Sequence, residues 1–347
     1  MLNFITGPKG SGKTEKAHEI LGERVKCGEN AMLIVPKQFT FESDKGILHL
    51  LGPRLACEVE VLSFTRLSHI ALEKYGGITK PILQGGSRLI MMSLALEAVK
   101  DKLRVFAKHT NEISLVTKLL QQIDEMKQSG VEPEELEKAA ESLKDKELSR
   151  KINEIALVYR SFQAVVSESW FDDADLLKRV YEILSVTDFF KDKTIAIDGF
   201  SSFSFYEIKL IELMISKAKN VYITLCSDDI TDTGMLSAFS HINTTARKLR
   251  LMAGNMGADM GEIISLERKN NFSSCDISYL HDNLYSPLVT PYTEKSKNVC
   301  ISTCANPQQE CDNAARKIKQ FIRKGEYRCR DIAVVYRSGA VCIPLTG

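Results

Sequence analysis

Residues 7–14 read Gly-Pro-Lys-Gly-Ser-Gly-Lys-Thr, a G-x-x-x-x-G-K-T pattern that restricts this chain more than any other stretch. Each part of such a loop has a physical use. Its glycines let the backbone curl so that several N–H groups face one phosphate chain. Lys13 brings a charge to the outer phosphates, and the Thr14 hydroxyl is placed to hold Mg²⁺. The helix that follows adds the positive end of its dipole. The pattern carries weight only between a strand and a helix. Leu2 to Thr6 is a short apolar strand candidate, and Lys13 to Lys26 reads as a helix stopped by Gly28. The sequence therefore predicts a site for ATP and Mg²⁺ on Gly7, Pro8, Lys9, Gly10, Ser11, Gly12, Lys13 and Thr14. The competing reading is a chance glycine-rich turn.

Strand and helix alternate beyond the loop. Asn30 to Pro36 is a buried-strand run closed by its proline, and Gln38 to Leu51 reads as a helix. Glu58 to Ser63 alternates as a strand, and Phe64 to Tyr75 reads as a helix ended by Gly76-Gly77. This alternation predicts an α/β chain with a parallel sheet. From Gly86 the pattern changes. Residues 86–185 hold no convincing strand, while Ile152, Ile155, Ala156, Tyr159, Phe162 and Val166 recur at helical spacing. Gly130 and Pro133 mark a turn, and Glu134 to Lys146 reads as one charged helix. An all-helical insertion is expected there. The sheet resumes with Thr194 to Asp198, a helix over Phe205 to Ala218, and a strand over Val221 to Leu225 before the acidic turn Ser227-Asp228-Asp229. Residues 230–298 give no clear pattern. Val299 to Thr303 reads as a strand, Gln309 to Lys324 as a helix and Asp331 to Tyr336 as a strand. The sequence stops eleven residues later, which reads as a domain cut short.

Composition narrows the partners. Lys and Arg number 46 against 45 Asp and Glu in 347 residues, so a nucleic-acid surface must be a local groove and not a whole basic face. With 44% hydrophobic residues the chain can bury a real core. No apolar run is long enough to span a membrane, and the loop begins too early for a signal peptide. Nine cysteines with no C-x-x-C suggest free thiols in a reducing cytoplasm. Cys300, Cys304 and Cys311 cluster, but their spacing fits no metal pattern, and they read as small buried hydrophobes. The six histidines show no ligand spacing and receive no role.

A phosphate loop works with a later strand ending in an acid that holds Mg²⁺. Asp198 is the candidate. In hydrolysing members the next residue is commonly Glu, the base for the attacking water. Here Gly199 stands in that place and cannot take a proton. Good binding and poor hydrolysis are therefore expected, unless a base comes from elsewhere.

The order of elements, with GPKGSGKT, VPKQFTF, VLSFTRL and IDGFSSF, resembles the superfamily-1 UvrD-like helicases. It is most similar to the AddB family, the second subunits of bacterial AddAB helicase–nucleases. The similarity covers essentially the whole chain but only the N-terminal part of the family's length. The resemblance implies a P-loop NTPase (RecA-like) motor domain 1A over 1–85 and 186–298, a 1B-like helical insertion over 86–185, and the start of a second RecA-like domain, 2A, over 299–347. It implies that Arg337 faces the ATP phosphates and that the Phe39-Thr40 and Ser63-Phe64 neighbourhoods lie near single-stranded DNA. It also implies an AddA-type helicase as heterodimer partner, and processing of DNA double-strand ends for recombinational repair. Two departures stand out. No glutamine motif precedes the loop, and Gly199 replaces the catalytic Glu. Both fit a motor that no longer turns over well.

The residues themselves are compatible with the DNA assignment. Phe39, Phe41 and Phe64, with Lys37 and Arg66 nearby, follow strand ends and could stack bases and meet backbone charge. Equally, the phenylalanines could pack under the sheet. Three other functions remain in view: a self-sufficient DNA-stimulated helicase, a small-molecule kinase with the insertion as a lid, and an interaction scaffold whose loop is a relic. A kinase leaves VPKQFTF and SFTRL without a purpose.

Overall fold

The structure is a computed structural model that describes residues 1–77, 80–232, 239–267, 272, 274–284, 288 and 290–336. It divides into two compact units, residues 1–270 and 271–347.

The first unit is built on a six-stranded parallel sheet. Its elements run β1 (Leu2–Gly7), α1 (Lys13–Lys26), β2 (Asn30–Ile34), α2 (Thr40–Ala56), β3 (Val59–Leu62) and α3 (Phe64–Tyr75). A short strand β4 (Ile82–Leu83) leads into α4 (Gly86–Val99), α5 (Ile113–Gln128), α6 (Pro133–Glu141) and α7 (Lys146–Ser169). Then come β5 (Phe171–Asp172), α8 (Leu176–Ser185), β6 (Lys193–Ile197), α9 (Phe205–Lys217), β7 (Asn220–Cys226), α10 (Ser240–Asn255) and β8 (Met260–Ser265). The sheet order is β3-β2-β6-β7-β1-β8, with every neighbouring pair parallel. The chain leaves β1, crosses to β2, and only later returns with β6 and β7 to fill the gap between them. Crossovers of this kind need helices, and those helices cover both faces.

Alternation along the strands divides the core. Leu2, Phe4, Met32, Ile34, Ile195 and Ile197 face a layer formed by α3, α8, α9 and α10. Ile5, Ala31, Leu33 and Ala196 face the opposite layer, where α1 contributes Ala17, Ile20 and Leu21 and α2 contributes Ile47. Each fully buried Ile, Leu or Phe contributes about 1.5–3 kcal/mol, so neither face could be left open.

The helices α4, α5 and α7 enclose a separate core around Met92, Leu96, Leu119, Ile123, Tyr159 and Phe162. Two expectations need correction here. The region 86–185 contains one short strand, because β5 pairs in parallel with β4, Ile82 opposite Phe171 and Leu83 opposite Asp172. The stretch from Glu134 to Lys146 is not one helix. Asp145 accepts the N–H groups of Glu147 (2.9 Å) and Leu148 (3.2 Å) and so starts α7 afresh. Likewise, the helix expected over Gln38 to Leu51 begins as a 3-10 turn at Lys37–Phe39, and α2 runs on to Ala56 with a break at Gly52-Pro53.

Within the insertion, a buried ionic cluster ties α4 and α5 to β5 and the turn before α8. The Lys127 ammonium lies 2.8 Å from Asp172 and 2.6 Å from Asp175, and the Arg88 guanidinium reaches both Asp124 and Asp172.

The second unit contains α11 (Cys275–Asn283) and α12 (Pro307–Arg323). Asn306 caps α12 and Pro307 opens it. The Asp276 carboxylate accepts the N–H groups of Lys297 (3.0 Å) and Asn298 (2.9 Å), and these bonds hold it far below the usual carboxylate range. The strands expected at 299–303 and 331–336 are not formed. Neither stretch joins a ladder among the described residues, and Ile301 and Val335 are 90% and 95% exposed. An apolar run becomes a strand only when neighbours accept its hydrogen bonds. Of the cysteine trio only Cys311 is buried. Cys300 is exposed beside the Lys317 ammonium at 3.3 Å, which lowers the thiol's pKa.

Among the described residues no helix is long and apolar enough to cross a membrane.

Candidate functional site

The carboxyl ends of β1, β7 and β6 lie side by side, and their following residues converge. Gly12 begins α1 with φ at +89°, a left-handed backbone that L side chains avoid. From there the first turn closes, with the Lys16 N–H donating to the Gly12 carbonyl at 2.9 Å. The Lys13 ammonium folds back over the loop and donates to the carbonyls of Gly7 (2.8 Å) and Pro8 (2.7 Å). Burial lowers its pKa, and Cys226 and Asp198 pull it back up. A phosphate at this place would compete with two neutral carbonyls for a full positive charge.

Thr14 and Asp198, distant in sequence, are in contact. The Thr14 hydroxyl donates to Asp198 Oδ2 at 2.8 Å. The Thr224 hydroxyl on β7 donates to the other oxygen, Oδ1, and itself accepts the Gly199 N–H at 3.3 Å. Asp198 is 6% exposed, so its orientation is fixed by these two hydroxyls. One carboxylate and one hydroxyl suit Mg²⁺, which takes few protein ligands and completes its shell with phosphate oxygens and water. Among the described residues no cluster of three His, Cys, Asp or Glu could form a closed metal cage.

A cavity of about 470 Å³ opens over this group. Lys9, Lys13, Thr14 and Asp198 line it, together with Phe39, Glu42 and Ser43. That volume is typical of small-molecule sites.

Gly199 also lines the cavity, with φ at +82°. A Cβ built there would lie 3.3 Å from Pro36 Cδ. The backbone thus disfavours any carboxylate-bearing residue at this point. Gly199→Glu is expected to destabilise the first unit by about 1–2 kcal/mol, read as a lowered urea midpoint. An unchanged midpoint would show that the strand end accommodates a side chain freely.

His18, which the sequence left without a role, lies one turn beyond Thr14 on α1 and is 6% exposed, with no partner for Nε2. Burial holds it below the ordinary histidine value, against the pull of Asp198 and Glu15. The unfolded chain therefore takes up this proton more readily. Its stabilising contribution is complete above about pH 6.5 and is lost as pH falls from there. Comparing thermal melts at pH 7.5 and 5.5, the wild type should lose more stability than His18→Gln; equal losses would contradict this.

The expected DNA-facing residues separate into two groups. Phe39 and Phe41 are 47% and 73% exposed, and the Thr40 hydroxyl donates to the Lys37 carbonyl at the start of α2. Phe64 is 5% exposed and packs edge-on against Phe200, with ring centres 5.5 Å apart. Its ring has no free face for a base. Ser63 is buried as well, and its hydroxyl accepts the Arg66 N–H at 3.2 Å to cap α3. Arg337 lies outside the described residues. Sequence reasoning missed Thr224, His18, Glu42 and Ser43. For Thr224 a signal existed: it is the one small polar residue within the run VYITL.

Comparison with known proteins adds a family. A family model described as "ADDB, N-terminal" matches residues 4–281. The B subunit of the ATP-dependent helicase/deoxyribonuclease of Acetivibrio thermocellus is 32% identical over 344 residues, covering 96% of this chain and 30% of that protein. The proteins of the same name from Clostridium novyi and Caldanaerobacter subterraneus are each 30% identical, covering 97% and 96% of this chain and 30% and 29% of their own lengths. The chain spans about 30% of the length of these relatives.

Proposed function

Since the chain belongs to the ADDB N-terminal family, we propose that it is the ATP- and DNA-binding N-terminal region of the B subunit of an ATP-dependent helicase/deoxyribonuclease. In this reading it works in the cytoplasm beside an AddA-type helicase partner, on DNA double-strand ends processed for recombinational repair. Residues 1–85 and 186–298 form a RecA-like P-loop motor domain, 86–185 its 1B-like insertion, and 299–347 the start of a second RecA-like domain. Gly7 to Thr14 hold ATP, and Thr14 and Asp198 hold Mg²⁺.

The observation that carries this reading is the contact between Thr14 and Asp198, beside Lys13 at the mouth of one cavity. ATP is bound and turned over slowly, because Gly199 supplies no base and its backbone disfavours one. Single-stranded DNA meets Phe39 and Thr40, and Phe41 offers a second exposed ring. The second reading is a self-sufficient DNA-stimulated ATPase. It is favoured by Glu15 and Glu42, two carboxylates that line the same cavity. Equilibrium titration with a fluorescent ATP analogue and Mg²⁺, with and without single-stranded DNA, tests the proposal. Saturable Mg²⁺-dependent binding is expected, and its absence in the folded chain would leave the loop a relic.

A further inference from the structure

Away from the nucleotide cavity, the helical insertion carries a groove of about 520 Å³ between the turn after α4, the end of α6 and the first half of α7. Lys102, Arg104, Lys146 and Arg150 line it. All four are exposed, and among the described residues none takes part in an ion pair or a side-chain hydrogen bond. Some other cations of the insertion are paired: Arg160 bridges Glu134 and Glu137, and Lys178 is 2.6 Å from Glu132. What sets the groove apart is that four cations converge on one surface with no acid among the described residues in ion-pair contact with any of them.

Two carboxylates do line the groove. Glu154 is buried, and its oxygens already accept the N–H groups of Arg104, Val105 and Phe106 at 2.9–3.2 Å, which fixes the turn that presents Arg104. Glu141 is the other. Lys146 and Arg150 stand four residues apart on one face of α7, about 5–6 Å from each other, with Asn153 on the next turn. The lining contains no aromatic residue. Single strands are held by stacking on aromatic rings, whereas a duplex is held through its phosphates.

We infer that this groove is a contact for the phosphate backbone of duplex DNA, separate from the strand-binding residues at Phe39 and Thr40. It needs neither ATP nor the loop at Gly7 to Thr14, so it stands or falls apart from the nucleotide reading. Each phosphate neutralised releases condensed counterions, and the slope of log K against log salt changes by about 0.9 per contact.

The test compares the full 347-residue chain with a variant carrying Lys102→Gln, Arg104→Gln, Lys146→Gln and Arg150→Gln. A charge-matched control carries Lys26→Gln, Lys118→Gln, Lys138→Gln and Lys191→Gln, four lysines elsewhere in the first unit. Fluorescence anisotropy with a duplex of about 30 base pairs is read from low to moderate salt, beside thermal melts of all three proteins. The groove variant should bind at least about tenfold more weakly at low salt, with a slope shallower by about 2–4, while the control keeps most of both. Equal losses in the two variants would show a diffuse charge effect and overturn the inference. So would unchanged duplex binding, or a loss confined to a single-stranded probe. If the quadruple variant melts early, the pair Lys146→Gln with Arg150→Gln is read in its place, with half the slope change expected.

Discussion

Lys13→Ala should weaken Mg·ATP binding by roughly thirtyfold. Among the described residues Lys9 and Lys13 are the only Lys or Arg residues lining the cavity, and Lys13 is the one folded over the loop, on the carbonyls of Gly7 and Pro8. Two unit charges 4 Å apart at an effective dielectric near 20 attract by about 4 kcal/mol. Giving up two carbonyl hydrogen bonds of about 1 kcal/mol each offsets part of that gain. A net loss near 2 kcal/mol is roughly thirtyfold in Kd. The substitution also removes those loop bonds, but the half-buried side chain belongs to no core cluster, so the melting temperature should change little. Calorimetric titration of both proteins checks the affinity. A Kd within threefold of wild type would show that the phosphates sit elsewhere.

Lys127→Ala is expected to be the most damaging single change in the insertion, costing about 3–5 kcal/mol. The Lys127 side chain is 4% exposed and that of Asp172 2% exposed, so removing the ammonium leaves buried carboxylates without it. An exposed pair provides the contrast. Lys100 and Glu97 are 3.2 Å apart with side chains 41% and 60% exposed, and Lys100→Ala should change stability by less than about 0.5 kcal/mol. Urea unfolding of the two variants separates these cases; similar midpoints would mean that water reaches the cluster freely.

Acid should act through the same group. Burial by itself raises the pKa of Asp172, but facing Lys127 and Arg88 outweigh it and hold the carboxyl below the usual range. A depressed carboxylate stabilises above its unfolded pKa, near 4, and loses that contribution as pH falls through the folded value. Asp173 and Asp175 have the opposite shift, raised mainly by burial, so their protonation relieves part of the loss.

The loop and its two flanking elements were legible because everything that defines them is local. An apolar run, a glycine-rich turn and a helix stopped by Gly28 follow one another within 28 residues, and β1 and α1 fall where that pattern places them. The Phe39 and Phe64 rings were harder to tell apart, since both follow a strand end. Yet Phe64, Leu67 and Ala71 repeat at helical spacing and share the buried face of α3, whereas Phe39 ends a 3-10 turn with no such partners. Thr224 could be seen as an odd hydroxyl but not as a partner of Asp198, because that contact exists only once β7 lies beside β6. The stretches at 299–303 and 331–336 failed for the same reason in reverse: their composition favours strands, but strands depend on neighbours that composition cannot supply.

The proposed nucleotide site binds ATP well and turns it over poorly. Phosphate release from Mg·ATP by the unmodified chain, with and without saturating single-stranded DNA and beside Lys13→Ala, tests it most directly. Turnover barely above the Lys13→Ala background is expected in both conditions, although the unmodified chain is saturated with ATP. Brisk DNA-stimulated release that Lys13→Ala abolishes would contradict it, and would direct attention to Glu15 and Glu42 as the source of the base.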